Sequence, residues 1–167
     1  MSMIPASLKA LVMPLVASRV SGLIMTMNIK DAAFITAVQK GLWPLSPFVI
    51  LYEESQSLAG LEEALIPDLR LAFHAAQSDS FLEDMKDKEF SLLIDGEFLN
   101  QLERVILRLE RLEDGGFALL LLDPVLLEKL DTCYRFAELE QQEEGCWCLL
   151  AKGQAVPQRR GGRKAQK

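Results

Sequence analysis

The chain has 167 residues, half of them hydrophobic and a quarter charged, with a net charge of −6 and a pI near 4.9. That length and balance suit one soluble globular domain with a sizeable core and exclude a disordered chain. The acidity excludes a broad electrostatic grip on nucleic acid, and the three cysteines (Cys133, Cys146 and Cys148) make neither a disulfide framework nor a zinc set.

Residues 5–19 place Leu8, Leu11, Val12, Leu15 and Val16 at helical spacing and predict a short helix. The stretch from Ala10 to Met27 is apolar, but Pro14, Ser18, Arg19 and Ser21 interrupt it. No run approaches the roughly 18 residues of a membrane span, and the arrangement suits no signal peptide, so the chain is expected in the cytoplasm. A strand follows over 21–27. Asn28 to Asp31 then form a turn in which Asn28 or Asp31 can cap a helix over 32–42, which Gly41 and Pro44 end.

The next strand, 47–52, closes on Glu53 and Glu54. A helix over 57–65 is stopped by Pro67, and a strand covers 69–75. Ser78, Asp79 and Ser80 are N-cap candidates for a helix over 80–87. The strand 90–94 ends at Asp95. A long helix over 97–113 recurs in Phe98, Leu102, Val105, Leu109 and Leu112, with Glu103, Arg104, Arg108, Glu110 and Arg111 on its wetter face. Asp114-Gly115-Gly116 ends it, and the almost wholly apolar 117–122 reads as a central strand covered on both faces. A short helix over 125–130 follows Asp123-Pro124. Residues 133–151 read as a hairpin (133–139 and 146–151, around an acidic turn) or as a helix continuing to Glu140; the aromatic-rich runs flanking the turn favour the hairpin.

Short apolar runs that end in acidic residues and alternate with helical stretches describe an α/β domain with a mainly parallel sheet. Ligands of such sheets collect outside the carboxyl ends of the strands, where this sequence carries Glu53, Glu54, Asp79, Asp95, Glu97 and Asp123. The organisation expected is an N-terminal helical segment over 1–20, the α/β core over 21–153 and a basic tail over 154–167. The tail has five basic residues and no acidic one. It reads as a solvated end, or as a weak contact for nucleic acid or an acidic partner.

The order of elements over 21–153 resembles the core of the RecA recombinase superfamily. In that family a glycine-rich phosphate loop ending in Lys and a hydroxyl residue follows the first strand. Here the corresponding turn is Met25-Thr26-Met27-Asn28-Ile29-Lys30-Asp31. Lys30 matches the phosphate-loop lysine, Glu54 the water-activating glutamate that ends the next strand, and Asp95 the acidic residue of the metal-assisting strand. The turn has no glycine, and Asp31 puts a negative charge where the hydroxyl belongs. The family's DNA-binding loops are reduced to Gly96-Glu97-Phe98 and Asp123-Pro124-Val125. In size and layout the chain is similar to the cell-division inhibitors of the SulA type and to ImuA-type accessory proteins of mutagenic DNA synthesis.

The resemblance implies a three-layer RecA-like domain with a C-terminal antiparallel hairpin, catalytically inactive, with no cofactor and no metal. Lys30, Asp31, Glu54 and Asp95 would be degenerate nucleotide-site positions. The implied role is protein–protein interaction in DNA repair or the SOS damage response, the partner being a recombinase, a polymerase complex or a division protein. Leu8, Leu11, Val12, Leu15 and Trp43 are the residues expected to meet a partner or a second copy. Two further readings stand beside this one: a diverged Mg-dependent nucleotide-binding enzyme using the acidic strand ends, and a pseudo-receiver signalling domain.

Overall fold

In the computed structural model the described residues are 4–18, 22–29, 31–42, 47–52, 71–85, 89–130 and 134–153. They form helix α1 (Ala6–Ser18), strand β1 (Ile24–Met27), helix α2 (Ala32–Leu42), strands β2 (Phe48–Tyr52) and β3 (Leu71–Ala75), and helix α3 (Ser78–Asp84). Strand β4 (Phe90–Leu99), helix α4 (Leu102–Glu110), strand β5 (Leu112–Leu122), a 3-10 turn (Pro124–Lys129) and strands β6 (Tyr134–Gln141) and β7 (Cys146–Lys152) complete the order. The helix expected over 57–65 and the tail over 154–167 lie outside the described residues.

The strands make one seven-stranded sheet in the order β3-β2-β1-β4-β5-β7-β6. The first five pair in parallel. β7 runs antiparallel beside β5, and β6 pairs antiparallel with β7 as the outer strand. The architecture is therefore a three-layer α/β fold with a mostly parallel central sheet and antiparallel C-terminal strands. In β1 and β2 every residue is buried, as strands covered on both faces must be. One face packs Ile24, Ile50, Leu92 and Ile94 against α1 and α2, through Leu8, Val12, Val16, Phe34, Ile35 and Val38. The other packs Met25, Met27, Leu51, Leu93, Leu120 and Leu122 against α3 and α4, through Leu82, Val105 and Leu109.

Strand order corrects the recombinase and receiver readings. β1 lies between β2 and β4, with β2 and β3 on one side and β4 and β5 on the other. That is the 3-2-1-4-5 sequence of the doubly wound Rossmann type and differs from the 2-1-3-4-5 order of flavodoxin-like receivers.

Element limits also differ from expectation. β4 runs on past Asp95 to Leu99, through an irregularity between Asp95 and Phe98, so that Phe98 and Leu99 pair with Leu121 and Leu122. β5 begins at Leu112. The predicted long helix over 97–113 shrinks to nine residues because both of its ends join the sheet. The 133–151 segment is the hairpin and not the continued helix. Cys146 and Cys148 are free, buried and on the same sheet face.

Candidate functional site at the carboxyl edge

The crossovers diverge between β1 and β4, which makes the carboxyl ends of these two strands the topological switch point where sheets of this type bind ligands. The turn leaving β1 is tightly built. Asn28 takes a left-handed backbone conformation (φ 54°), and its amide Nδ2 donates to Ser78 Oγ at 2.9 Å. Ile29 is fully buried, and its carbonyl accepts a hydrogen bond from the Tyr52 hydroxyl at the end of β2. Burial, together with the nearby Asp31 charge, pushes that hydroxyl up to about 12. Asp31 caps α2 by accepting from the Phe34 amide (3.1 Å) and pairs with Lys9 of α1 at 2.8 Å. Burial alone would raise the Asp31 carboxyl, but the Lys9 contact and the backbone donors outweigh it and hold it below the usual range.

Gly96, just beyond Asp95, is pressed against this turn. A Cβ there would lie 2.4 Å from the Asn28 carbonyl oxygen and 2.9 Å from Ile29 Cδ1. The β4 backbone just past Asp95 therefore meets the turn leaving β1 backbone to backbone.

On the opposite face, five charged side chains from three elements converge. Asp95 is fully buried and accepts from Arg108 Nε at 2.6 Å and from the Glu97 amide at 2.9 Å. Arg108, also fully buried, gives its Nη1 to Asp79 at 2.9 Å and to the Arg104 carbonyl at 3.0 Å. Arg104 bridges Asp79 and Glu97, each at 2.9 Å. Among the described residues Arg108 Nη2 finds no hydrogen-bond partner; Glu97 Oε1 stands 3.9 Å away. Burial pushes the Asp95 carboxyl up, while Arg108 and the Glu97 amide pull against that rise. Burial also raises Asp79, but the two arginines win and hold it low. In return Asp79 and Glu97 hold the Arg104 guanidinium more firmly protonated.

Of the residues the sequence singles out, Asp31 and Asp95 fall on opposite faces of the sheet, one against α1 and the other against α4. Lys30, Glu53, Glu54 and Trp43 lie outside the described residues. Leu8 and Val12 are core residues, Leu15 is partly buried and Leu11 is exposed. His74 is exposed, with its ring 4.9 Å from that of Phe81. Asp95 and Glu97 both lie within β4, and α4 starts only at Leu102. The sequence reading missed the roles of Asp79, Arg104 and Arg108. The available signal was Arg104 and Arg108 at i, i+4 on a helix that follows an acidic strand end. Among the described residues, no group of three or more His, Cys, Asp or Glu side chains could hold a metal ion, and no helix is long and apolar enough to cross a membrane.

No family model matches the chain, and no curated protein matches it in sequence. Solved structures do match in fold. The O-methyltransferase TomG from Streptomyces achromogenes, in complex with SAM, has a TM-score of 0.66 at 12% identity over 90% of this chain and 82% of that one. Human methyltransferase-like protein 13, in complex with SAH, has a TM-score of 0.69 at 10% identity over 90% and 83%. An rRNA methylase from Streptococcus thermophilus has 0.63 at 16% over 92% and 100%.

The chain thus shares its fold with these solved structures and is not RecA-like. The recombinase resemblance, with its SulA-type and ImuA-type readings, is corrected by these matches and by the strand order. The role drawn from it, a catalytically inactive regulator in DNA repair or the SOS response, is corrected with it. So is the expectation of a non-enzyme, because the matching folds are those of methyltransferases.

Proposed function

We propose that this chain is a methyl-transfer enzyme that takes S-adenosylmethionine at the carboxyl edge of its sheet. The observation that carries this reading is the strand order, with its switch point between β1 and β4, in a fold shared with methyltransferases of diverse substrates. On a sheet of this order, an acidic residue beyond the second strand accepts hydrogen bonds from ribose hydroxyls. Glu53 and Glu54 directly follow Tyr52, the last residue of β2, and supply that chemistry.

In sequence, the residues after β2 thus carry the carboxylates that a ribose would call for. The amino-acid half of the cofactor does not fit the first turn in its described form. That turn lacks glycine, buries Ile29 and is closed against Gly96. Asp95, the carboxylate nearest the switch point, is enclosed by Arg108 and has no open side from which to take a proton. On this reading Glu53 and Glu54 would bind and orient the adenosyl group.

Calorimetric titration with S-adenosylhomocysteine tests the proposal. The expected dissociation constant is below about 100 μM, weakened at least about tenfold by Glu53→Gln with Glu54→Gln. Absence of both heat and thermal stabilisation at about 1 mM ligand, where a Kd of 100 μM would leave the site mostly filled, would overturn it.

A further inference from the structure

The outer side of α4 and the adjoining α3 enclose a groove of about 590 Å³ that the methyl-transfer reading does not use. Its floor is Leu102, Ile106 and Leu107, and its rim is Asp79, Glu83, Glu103 and Glu110 together with Arg104, whose guanidinium is already taken up by Asp79 and Glu97. Glu103, Ile106, Leu107 and Glu110 follow one another at i, i+3, i+4 and i+7, so they form one continuous stripe along α4. Glu83, Glu103 and Glu110 are exposed and make no ion pair among the described residues, while Asp79 is held by Arg104 and Arg108. A stripe of apolar side chains between uncompensated carboxylates suits a segment whose long basic side chains can lay their stems on the floor and their charges on the rim.

We propose that this groove is occupied by the chain's own basic segment, residues 154–167. That segment begins Gln154-Ala155-Val156-Pro157 and then carries Arg159, Arg160, Arg163, Lys164 and Lys167 with no acidic residue. Its point of departure is on the correct side of the molecule. Cys146, Cys148 and Leu150 of β7 belong to the core under α3 and α4. By strand alternation Lys152 points to that same face, and its Nζ donates to the Leu112 carbonyl at 2.9 Å, two residues past Glu110. Gly153 leaves β7 beside Asp114 and Gly115 in a left-handed conformation (φ +80°), a geometry glycine adopts without strain.

The segment thus starts at the end of the sheet where α4 terminates, and the groove runs back from Glu110 toward Glu103. That distance is about 10 Å at 1.5 Å per helical residue. Six extended residues, enough to reach Arg159, span about 20 Å.

The test uses the full-length chain and the tryptic sites at Arg159 and Arg160, with the free 154–167 peptide as a control for the protease. Docking predicts that cleavage at these sites is at least about tenfold slower at about 20 mM salt than at about 500 mM, because rim ion pairs are screened. The double variant Glu103→Lys, Glu110→Lys, both at exposed positions, should lose that protection at low salt while its circular dichroism stays unchanged. Equal cleavage rates in the parent and the variant at low salt would overturn the proposal. Protection that grows with protein concentration would also overturn it, assigning the groove to the segment of a second copy.

Discussion

Arg108 and Asp95 are both fully buried and joined at 2.6 Å, so truncating Arg108 leaves the Asp95 charge stranded in the interior. Arg108→Met is expected to cost about 3–5 kcal/mol, read by urea denaturation. Combining it with Asp95→Asn should recover much of that loss, since the two sites are directly coupled. At the switch point, Gly96→Ala should destabilise by about 1–3 kcal/mol: the new methyl meets the backbone carbonyl of Asn28, which cannot move aside as a side chain end could.

The charges also set a pH dependence. Asp31 and Asp79 both sit below the ordinary carboxyl value of 3.8. A lowered folded-state value contributes stability that is present above the unfolded value and lost as pH falls through the folded one. Acid unfolding should therefore set in below about pH 4, and Asp79→Asn should flatten the fall in stability measured between about pH 5 and pH 2. Asp95, raised by burial, binds its proton more readily when folded and partly opposes this trend. Little of this cluster is legible in sequence. The sequence reading sets Arg108 on the wetter face of its helix, yet the residue is fully buried, because helical spacing does not show which charged side chain finds partners inside. The depth of Arg108 is fixed by Asp79 and Asp95, which are close to it only once the sheet has formed.

Individual elements are more legible, because their signals are local. The apolar runs at Ile24–Met27, Phe48–Tyr52 and Phe117–Leu122, and the aromatic-rich runs of the final hairpin, are visible as short stretches bounded by turn residues, and each is a strand. The failures cluster between 95 and 117, where Phe98, Leu102, Val105, Leu109 and Leu112 keep a helical period across two strand ends. Pairing of Phe98 and Leu99 with Leu121 and Leu122, and of Phe90 with Leu112, overrides that local preference. Cap chemistry misleads in a similar way: three good N-cap residues stand at 78–80, yet the Gln77 side chain accepts from Ser80 N and opens the helix. β5 is the strand on which such pairings rest, flanked by β4 and β7. Leu120→Asp, at a fully buried position in its middle, should abolish cooperative folding. A buried unpaired charge costs several kcal/mol against a total stability of roughly 5–15. Recovery of a soluble variant with a sharp urea transition would contradict this placement of the core.

For the whole molecule, the alternation of strands and helices fixes the α/β class but not which strands touch. The interval from Lys30 to Glu54 and the acidic end at Asp95 fit a recombinase core and a doubly wound sheet equally well, since both are built from strand–helix units of similar length. Only the pairings of β1 with β2 and of β1 with β4 tell the two apart. Those contacts are remote in sequence. The β1 residue Ile24 sits beside Phe48 on one side and Leu92 on the other, separations of 48 − 24 = 24 and 92 − 24 = 68 residues. During synthesis from the N-terminus, the apolar Ile-Met-Thr-Met strand therefore exists for dozens of residues with one neighbour at most. Large loops must close before it is enclosed, and contacts of such high order put refolding toward the slow end, milliseconds to seconds. While it waits, an unpaired apolar edge is open to capture by other chains. Refolding yield from urea should accordingly fall as protein concentration rises. Supplying a chaperone during expression should raise the soluble fraction of this chain more than any change to its exposed surface.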